Sequence, residues 1–392
     1  MGFRWLAGYA VASIVSGNPL KALTVLGQSI WLDYIQRQLV TSDELRNLIE
    51  VDGVSGITSN PSIFQRAVAG SSHYEGDIRS MALSGRSVEA IYDALSVKDV
   101  QSAADVLHAI YVSSDAYDGY VSLEVDPHLA HDTEATIADA RRLWALVNRP
   151  NILVKVPATR EGLPAIRQLI SEGINVNVTL LFALARYRQV AEAYLSGLEV
   201  RTAQQLPVKP VASVASFFVS RIDSLLDPKL EQAGAEGGKS AALAESLRGK
   251  IATANAKLAY QIYKENAASL RFKRLAELGA RPQRLLWAST STKNIDYSDV
   301  KYVEALIGPH TVNTLPMATL GAYRDHGDPR LRLENDIEGA RRILSQLPEV
   351  GIDLDEATQQ LEEDGVDKFS QSFDKLMATL AEESARHRPS AQ

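Results

Sequence analysis

Eight short β-rich runs alternate with helical stretches along this 392-residue chain, and that alternation restricts its fold more than anything else in it. The runs are Ser29–Asp33, Val54–Thr58, Gly119–Val125, Ile152–Val156, Ile174–Thr179, Pro210–Ala215, Arg284–Ser289 and His310–Leu315. Helical patterns lie between most of them, at Asp132–Val147, Gly162–Ser171, Leu181–Leu195 and Ile251–Leu278. A shorter one covers Thr41–Ile49, where Ser42 and the acidic pair after it suit a helix N-terminus. Strands that alternate with helices pair in parallel through crossover connections. Eight of them in a chain this long predict an α/β fold, a (β/α)8 TIM barrel with additional helices. The competing fold is a doubly wound open sheet. It would often carry a glycine-rich nucleotide motif after its first strand, and none follows Ser29–Asp33.

The expected organisation is one barrel domain over residues 1–392, with the strands and catalytic residues within 20–320. The long connection from Phe64 to Ala116 should hold several helices, including Val88–Leu95 and Val97–Tyr111. Gln232–Ser240 is glycine-rich and polar and reads as a flexible excursion. A helical extension over 354–383 places Leu361, Val366, Phe369, Phe373, Leu376, Met377 and Leu380 at spacings that form an apolar face, which should pack on the barrel. From Ser384 onward the chain is expected to fray.

Composition narrows the function classes. With 45% hydrophobic residues a large core is available, and with no cysteine there are no disulfides, thiolate nucleophiles or cysteine-ligated metal sites. The formal charge of -7, with dispersed Lys and Arg, disfavours nucleic acid as a partner but leaves room for a local basic pocket for a small anion. No apolar run approaches the ~18 residues of a membrane span. Met1–Tyr9 lacks the pattern of a secretory leader. A soluble cytoplasmic protein is expected.

The polar residues near the strand ends form an unusual set: Asp33, Thr58 and Asn60, Glu124, Lys155, Asn175 with Asn177 and Thr179, Ser216, Ser289 with Thr290, and Asn313. Each alone has a plain structural reading as a cap, an edge residue or a partner for backbone groups. Together they occupy the positions where barrel enzymes place reactive groups. Strand side chains alternate in direction. In the fifth run Asn175, Asn177 and Thr179 therefore share one face, and Ile174, Val176 and Val178 the other. Helices cover the outside of a barrel, so the polar set points inward. In the fourth run Leu153, Lys155 and Pro157 do the same. A lysine in a desolvated pocket presents more free amine and can attack a ketone to form a Schiff base, an electron sink for carbon–carbon cleavage. Asp33 and Glu124 are the carboxylates available as proton shuttles. Lys155 could instead pair with an inward carboxylate for structural reasons, or act as a point charge for phosphate. No cofactor motif is evident.

These pieces, in order, resemble the transaldolases of the class I aldolase superfamily, in their longer bacterial form. The motifs are Gly27-Gln-Ser-Ile-Trp-Leu-Asp33-Tyr, Gly56-Ile-Thr-Ser-Asn60-Pro-Ser, Val121-Ser-Leu-Glu124-Val, Leu153-Val-Lys155-Val-Pro-Ala-Thr, Ile174-Asn-Val-Asn177-Val-Thr179-Leu, Ser216-Phe-Phe-Val-Ser-Arg221-Ile-Asp223 and Trp287-Ala-Ser-Thr. The resemblance implies a metal-free, cofactor-free transferase of the non-oxidative pentose phosphate pathway. Such an enzyme moves a dihydroxyacetone unit from sedoheptulose 7-phosphate or fructose 6-phosphate to glyceraldehyde 3-phosphate or erythrose 4-phosphate. By the same resemblance Lys155 is the Schiff-base lysine and Asp33 the base for the C4 hydroxyl. Glu124 shuttles protons through a water that Thr179 helps hold. Asn60, Asn177 and Ser216 bind substrate hydroxyls, Thr58 and Phe218 line the site, and Arg221 binds phosphate.

One departure stands out. Many members carry a second phosphate-binding arginine after the seventh strand, where this chain has Ala288-Ser-Thr-Ser-Thr-Lys293-Asn294. The role falls to Lys293, a charge without the planar guanidinium fork. Its plain reading is a solvated loop charge. The expected partners are small phosphorylated sugars, with no nucleic acid or membrane, and the assembly is a monomer or homodimer. Two rival functions share the residues: an aldolase that releases dihydroxyacetone from fructose 6-phosphate, and a non-catalytic sugar-phosphate-binding barrel.

Overall fold

A computed structural model describes residues 17–387 apart from Gly70 and Lys239. The expected absence of a leader concerns Met1–Tyr9, which lies outside the described residues. Eight strands close into a barrel: β1 (Gln28–Leu32), β2 (Val54–Ile57), β3 (Tyr120–Glu124), β4 (Ile152–Pro157), β5 (Val176–Leu181), β6 (Ser213–Phe218), β7 (Arg284–Ala288) and β8 (Thr311–Leu315). Each pairs in parallel with the next, and β8 closes on β1 with Gln28 opposite Thr311 and Leu32 opposite Leu315. The (β/α)8 expectation is therefore met, with extra helices around it. Among the described residues no helix is long and apolar enough to cross a membrane.

The interior explains the strand sequences. Ser29 and Trp31 alternate toward the axis, and both are tied to Asp118, by Ser29 Oγ at 2.5 Å and Trp31 Nε1 at 2.8 Å. Arg284, at the start of β7, reaches the same group through Ser29 Oγ at 2.8 Å and Asp118 Oδ1 at 3.1 Å. This buried, hydrogen-bonded layer closes the N-terminal end of the barrel. The Trp31 indole fills the level above it, and Gly56 on β2 is required there. A Cβ at that position would stand 2.6 Å from the indole ring.

Several helices differ from the sequence expectation, each for a local reason. Val88–Ser113 is one continuous helix and not two, because Ser96 bonds back to Asp93 O at 3.3 Å instead of capping a new helix. Ile251–Leu278 is two helices, Ile251–Ala268 and Leu270–Glu277. Ser269 is extended there and caps the second by accepting from Phe272 N. Thr41–Ile49 is also divided. A helix over Arg37–Thr41 ends at an extended Ser42, and Glu44–Asn47 begins the next, running into a wide turn over Leu48–Asp52. Part of the supposed excursion at Gln232 belongs to the helix Ser220–Ala235. The C-terminal helix runs from Leu354 to His387 with Ser384 buried within it, so the fraying expected from Ser384 does not begin before His387, and residues 388–392 lie outside the described residues.

Candidate active site

Parallel register gathers the polar residues at one end. Glu124 on β3 lies opposite Lys155 on β4, and Lys155 lies opposite Asn177 on β5. Side chains opposite one another on parallel strands face the same way, so all three enter the barrel mouth together. The Lys155 side chain is only 5% exposed. Its Nζ donates to Ser59 O at 2.9 Å and to Glu124 Oε2 at 3.1 Å. A buried ammonium requires such partners, since an unpaired charge there costs several kcal/mol. Ser59 is itself fixed by its hydroxyl, which donates to Ser122 O at 2.6 Å.

Asp33 follows the last residue of β1 and is held by Thr58 Oγ1 at 2.8 Å, while Thr58 also meets Thr314 Oγ1 at 2.7 Å. Burial raises the Asp33 carboxyl above the usual carboxylate range, opposed by the Thr58 hydrogen bond and by the charges of Lys155, Arg66 and Arg221. Burial raises Glu124 as well, opposed first by Lys155. Glu124 Oε1 and Thr179 Oγ1 are buried with no protein hydrogen bond.

Asn177 and Ser216 lie side by side. Ser216 Oγ donates to Asn177 Oδ1 at 2.6 Å, and Asn177 Nδ2 donates to Ser122 Oγ at 3.0 Å. Asn60 caps the helix Pro61–Val68 by accepting from Ile63 N at 3.0 Å, which leaves its amide N–H groups for other partners. Phe218 packs against Phe182, with ring centroids 5.2 Å apart. Arg221, in the first turn of Ser220–Ala235, stacks its guanidinium 5.0 Å from the Phe218 ring. Its Nη1 is buried without a hydrogen bond, and burial lowers its pKa against the pull of Asp33, Asp364 and Glu124. An arginine at a helix N-terminus with free donors is suited to a phosphate.

Lys293 stands apart from this cluster. It is exposed, bonds Ser291 Oγ at 2.8 Å, and lines a surface pocket with Asp223, Asp227 and Glu231. Of the two expected phosphate cations, only Arg221 borders the carboxylates.

Sequence reasoning missed four contributors. Ser59 offers a carbonyl, which no side-chain pattern reveals. Ser122 could have been found, because it alternates with Glu124 on the inward face of β3. Arg66 acts electrostatically on Asp33 from a helix with no strand-end signal. Phe369 sits in the C-terminal apolar face, yet its ring centroid lies 5.6 Å from Lys155 Nζ.

A cavity of about 770 Å3 opens at the other end of the barrel, lined by Tyr117, Tyr260, Tyr263 and residues that begin β3, β6 and β7. Size alone would favour it. Its lysine–carboxylate pair, Lys264 with Glu334, is about half exposed, unlike the buried pair at the mouth, and barrel chemistry belongs to the C-terminal strand ends.

A family model described as transaldolase/fructose-6-phosphate aldolase matches residues 30–380. A transaldolase of Trichodesmium erythraeum is 47% identical over 371 residues, covering 93% of this chain and 97% of that protein. One from Saccharopolyspora erythraea is also 47% identical, over 94% of this chain and 99% of its own length. One from Thermobifida fusca is 46% identical over 95% of this chain and the whole of its own length. With the match spanning nearly the whole barrel and every strand of its mouth, the chain belongs to the transaldolase/fructose-6-phosphate aldolase family.

Proposed function

We propose that this chain is a transaldolase that carries a dihydroxyacetone unit on Lys155 between phosphorylated sugars. The observation that supports this most is the Lys155 amine, buried at the mouth and held by Glu124 and Ser59 O. Lys155 passes a proton to Glu124 through their hydrogen bond, and the free amine adds to the C2 carbonyl of a ketose phosphate to give a carbinolamine. Glu124 supplies the proton with which hydroxide leaves as water, and the iminium forms. The two unpaired acceptors, Glu124 Oε1 and Thr179 Oγ1, suit a relaying water between them. Asp33 then takes the C4 hydroxyl proton, the C3–C4 bond breaks, and its electrons enter the iminium to leave an enamine. The aldose phosphate departs. The enamine carbon attacks the acceptor aldehyde, Asp33 returns its proton to the new alkoxide, and hydrolysis of the imine completes the cycle.

A carboxylate with a raised pKa is a stronger base and suits Asp33 to that task. Asn60, Asn177 and Ser216 bind the substrate hydroxyls, Thr58 orients Asp33, and Phe218 forms a wall beneath Arg221, which takes the phosphate. The enzyme works in the cytoplasm, as a monomer or homodimer, in the non-oxidative pentose phosphate pathway. Acceptor dependence tests the reading. Turnover of fructose 6-phosphate should require erythrose 4-phosphate, with sedoheptulose 7-phosphate as product. Equal turnover without acceptor, with free dihydroxyacetone accumulating, would assign the chain to the aldolase branch of the family.

A further inference from the structure

The C-terminal helix Leu354–His387 crosses the barrel mouth and is seated at several points along its length. Near its start Glu362 forms a buried pair with Arg186 at 3.3 Å, beyond the end of β5. One turn later Gly365 lies against Leu180. A Cβ there would stand 2.9 Å from Leu180 Cδ2, and Leu180 itself is held at a φ of 57° where β5 departs from regular register. Further on, Ser372 bonds Ser62 at 2.7 Å, just after Asn60. Phe373 meets Tyr92 edge-on at 5.2 Å, and Asp374 reaches His128 at 3.2 Å. The seats lie beyond β5 at one end and beyond β2 and β3 at the other. The span between them passes over β4, the strand of Lys155. Phe369 occupies that span. It is 4% exposed, and its ring centroid stands 5.6 Å from Lys155 Nζ.

We propose that Phe369 is a specificity-determining residue of this enzyme: its ring roofs the enamine on Lys155 and keeps bulk water from protonating its carbon, so that the dihydroxyacetone unit passes to an aldehyde before it can be released. The inference rests on the Schiff-base reading above. The competing reaction is defined. After the aldose phosphate leaves, the enamine carbon gains a proton and becomes an iminium. One water adds across the C=N bond, the carbinolamine collapses, free dihydroxyacetone leaves, and the lysine amine is regenerated. Transfer wins only if the enamine outlasts the arrival of an acceptor. An apolar ring over the adduct removes the side from which bulk water would deliver that proton, while hydrolysis of the later imine draws on the water relayed between Glu124 and Thr179. The ring also faces the iminium cation with its π surface. A helix seated on both sides of the mouth holds that ring in place.

The test measures partition in the purified full-length chain. With fructose 6-phosphate as donor and erythrose 4-phosphate as acceptor, free dihydroxyacetone and sedoheptulose 7-phosphate are quantified in the same reaction. Phe369→Ala should raise the release-to-transfer ratio at least about tenfold. Phe369→Leu, which keeps apolar bulk, should recover most of the parental ratio. Phe373→Ala removes an aromatic ring from the same helix without uncovering Lys155 and should leave the ratio within about twofold of the parent. Equal ratios in Phe369→Ala and the parent would overturn the proposal. So would a rise in Phe373→Ala as large as in Phe369→Ala, which would make the effect one of general loosening. Borohydride trapping on the parent, run alongside, separates the two claims. A trapped Lys155 with an unchanged ratio defeats the role of Phe369 alone, whereas an untrapped parent removes the chemistry on which that role depends.

Discussion

Asp33 is a carboxylate in an unfavourable place, and that has two measurable consequences. Its folded pKa is raised, chiefly by burial. The native state therefore binds the proton more tightly than the unfolded chain does. The stability this contributes is fully present below the unfolded carboxylate pKa and is lost as pH rises through the higher folded value. Asp33→Asn, which can still accept from Thr58, should thus melt above the parent at pH 7, with the gap closing as pH falls through the carboxylate range. Calorimetry across pH checks this, and a gap that widens toward acid would contradict it. Function should move the other way. Asp33→Ala should still form the imine but lose most carbon–carbon cleavage, about 10²-fold or more for a missing general base. Imine trapping and cleavage rate, measured on the same sample, separate the two steps. For Arg221→Ala, KM should rise for phosphorylated donors far more than for free dihydroxyacetone as donor. Steady-state kinetics with both donors decides, and equal effects would argue against a phosphate contact.

Single residues were legible where strand alternation fixes direction. Lys155, Glu124 and Asn177 could be turned inward from the sequence because each sits in a run with a clear apolar face. The Ser59 carbonyl could not be read, because it is a backbone group and carries no side-chain signature. Lys293 carried no such directional signal. It was assigned by its place after the seventh strand, and a loop's length and path decide which way such a charge points. Here it bonds Ser291 on the surface.

Among elements, the C-terminal helix carries the most consequence. Its apolar spacing was visible in the sequence, but spacing says only that a face is buried and not what lies beneath it. The strained Leu180 and the small Gly365 are complementary only in three dimensions. Ser384 was read as frayed because it lies near the end of the sequence, whereas the helix carries it into a buried position. Helix breaks at serines were ambiguous for a related reason. Both serines bond backward, Ser96 to Asp93 O and Ser269 to Asn266 O, but Ser269 is extended and also accepts from Phe272 N, which starts a new helix. The anchoring can be tested away from the mouth. Leu376 is 1% exposed in the last third of the helix. Leu376→Ala should cost about 2–5 kcal/mol of stability, the usual range for a buried leucine. A denaturant titration reads the cost, and a loss below about 0.5 kcal/mol, the usual surface range, would mean that the helix is not seated as described.

For the whole molecule, the barrel was the easiest feature to foresee, because eight alternating strand and helix patterns have few closed solutions. The register was not foreseeable, and the register is what sets Glu124, Lys155 and Asn177 at one level. Trp31, Asp118 and Arg284 separate the cavity at the N-terminal end of the barrel from the mouth that holds Lys155, and the C-terminal helix crosses that mouth. The central claim is that the lysine in that mouth becomes covalently bound to its substrate. Borohydride reduction during turnover with fructose 6-phosphate, followed by peptide mass spectrometry, tests it directly. A dihydroxyacetone-derived secondary amine on Lys155, absent in Lys155→Ala, is the predicted result. No adduct in the parent, or one that persists in Lys155→Ala, would contradict the account.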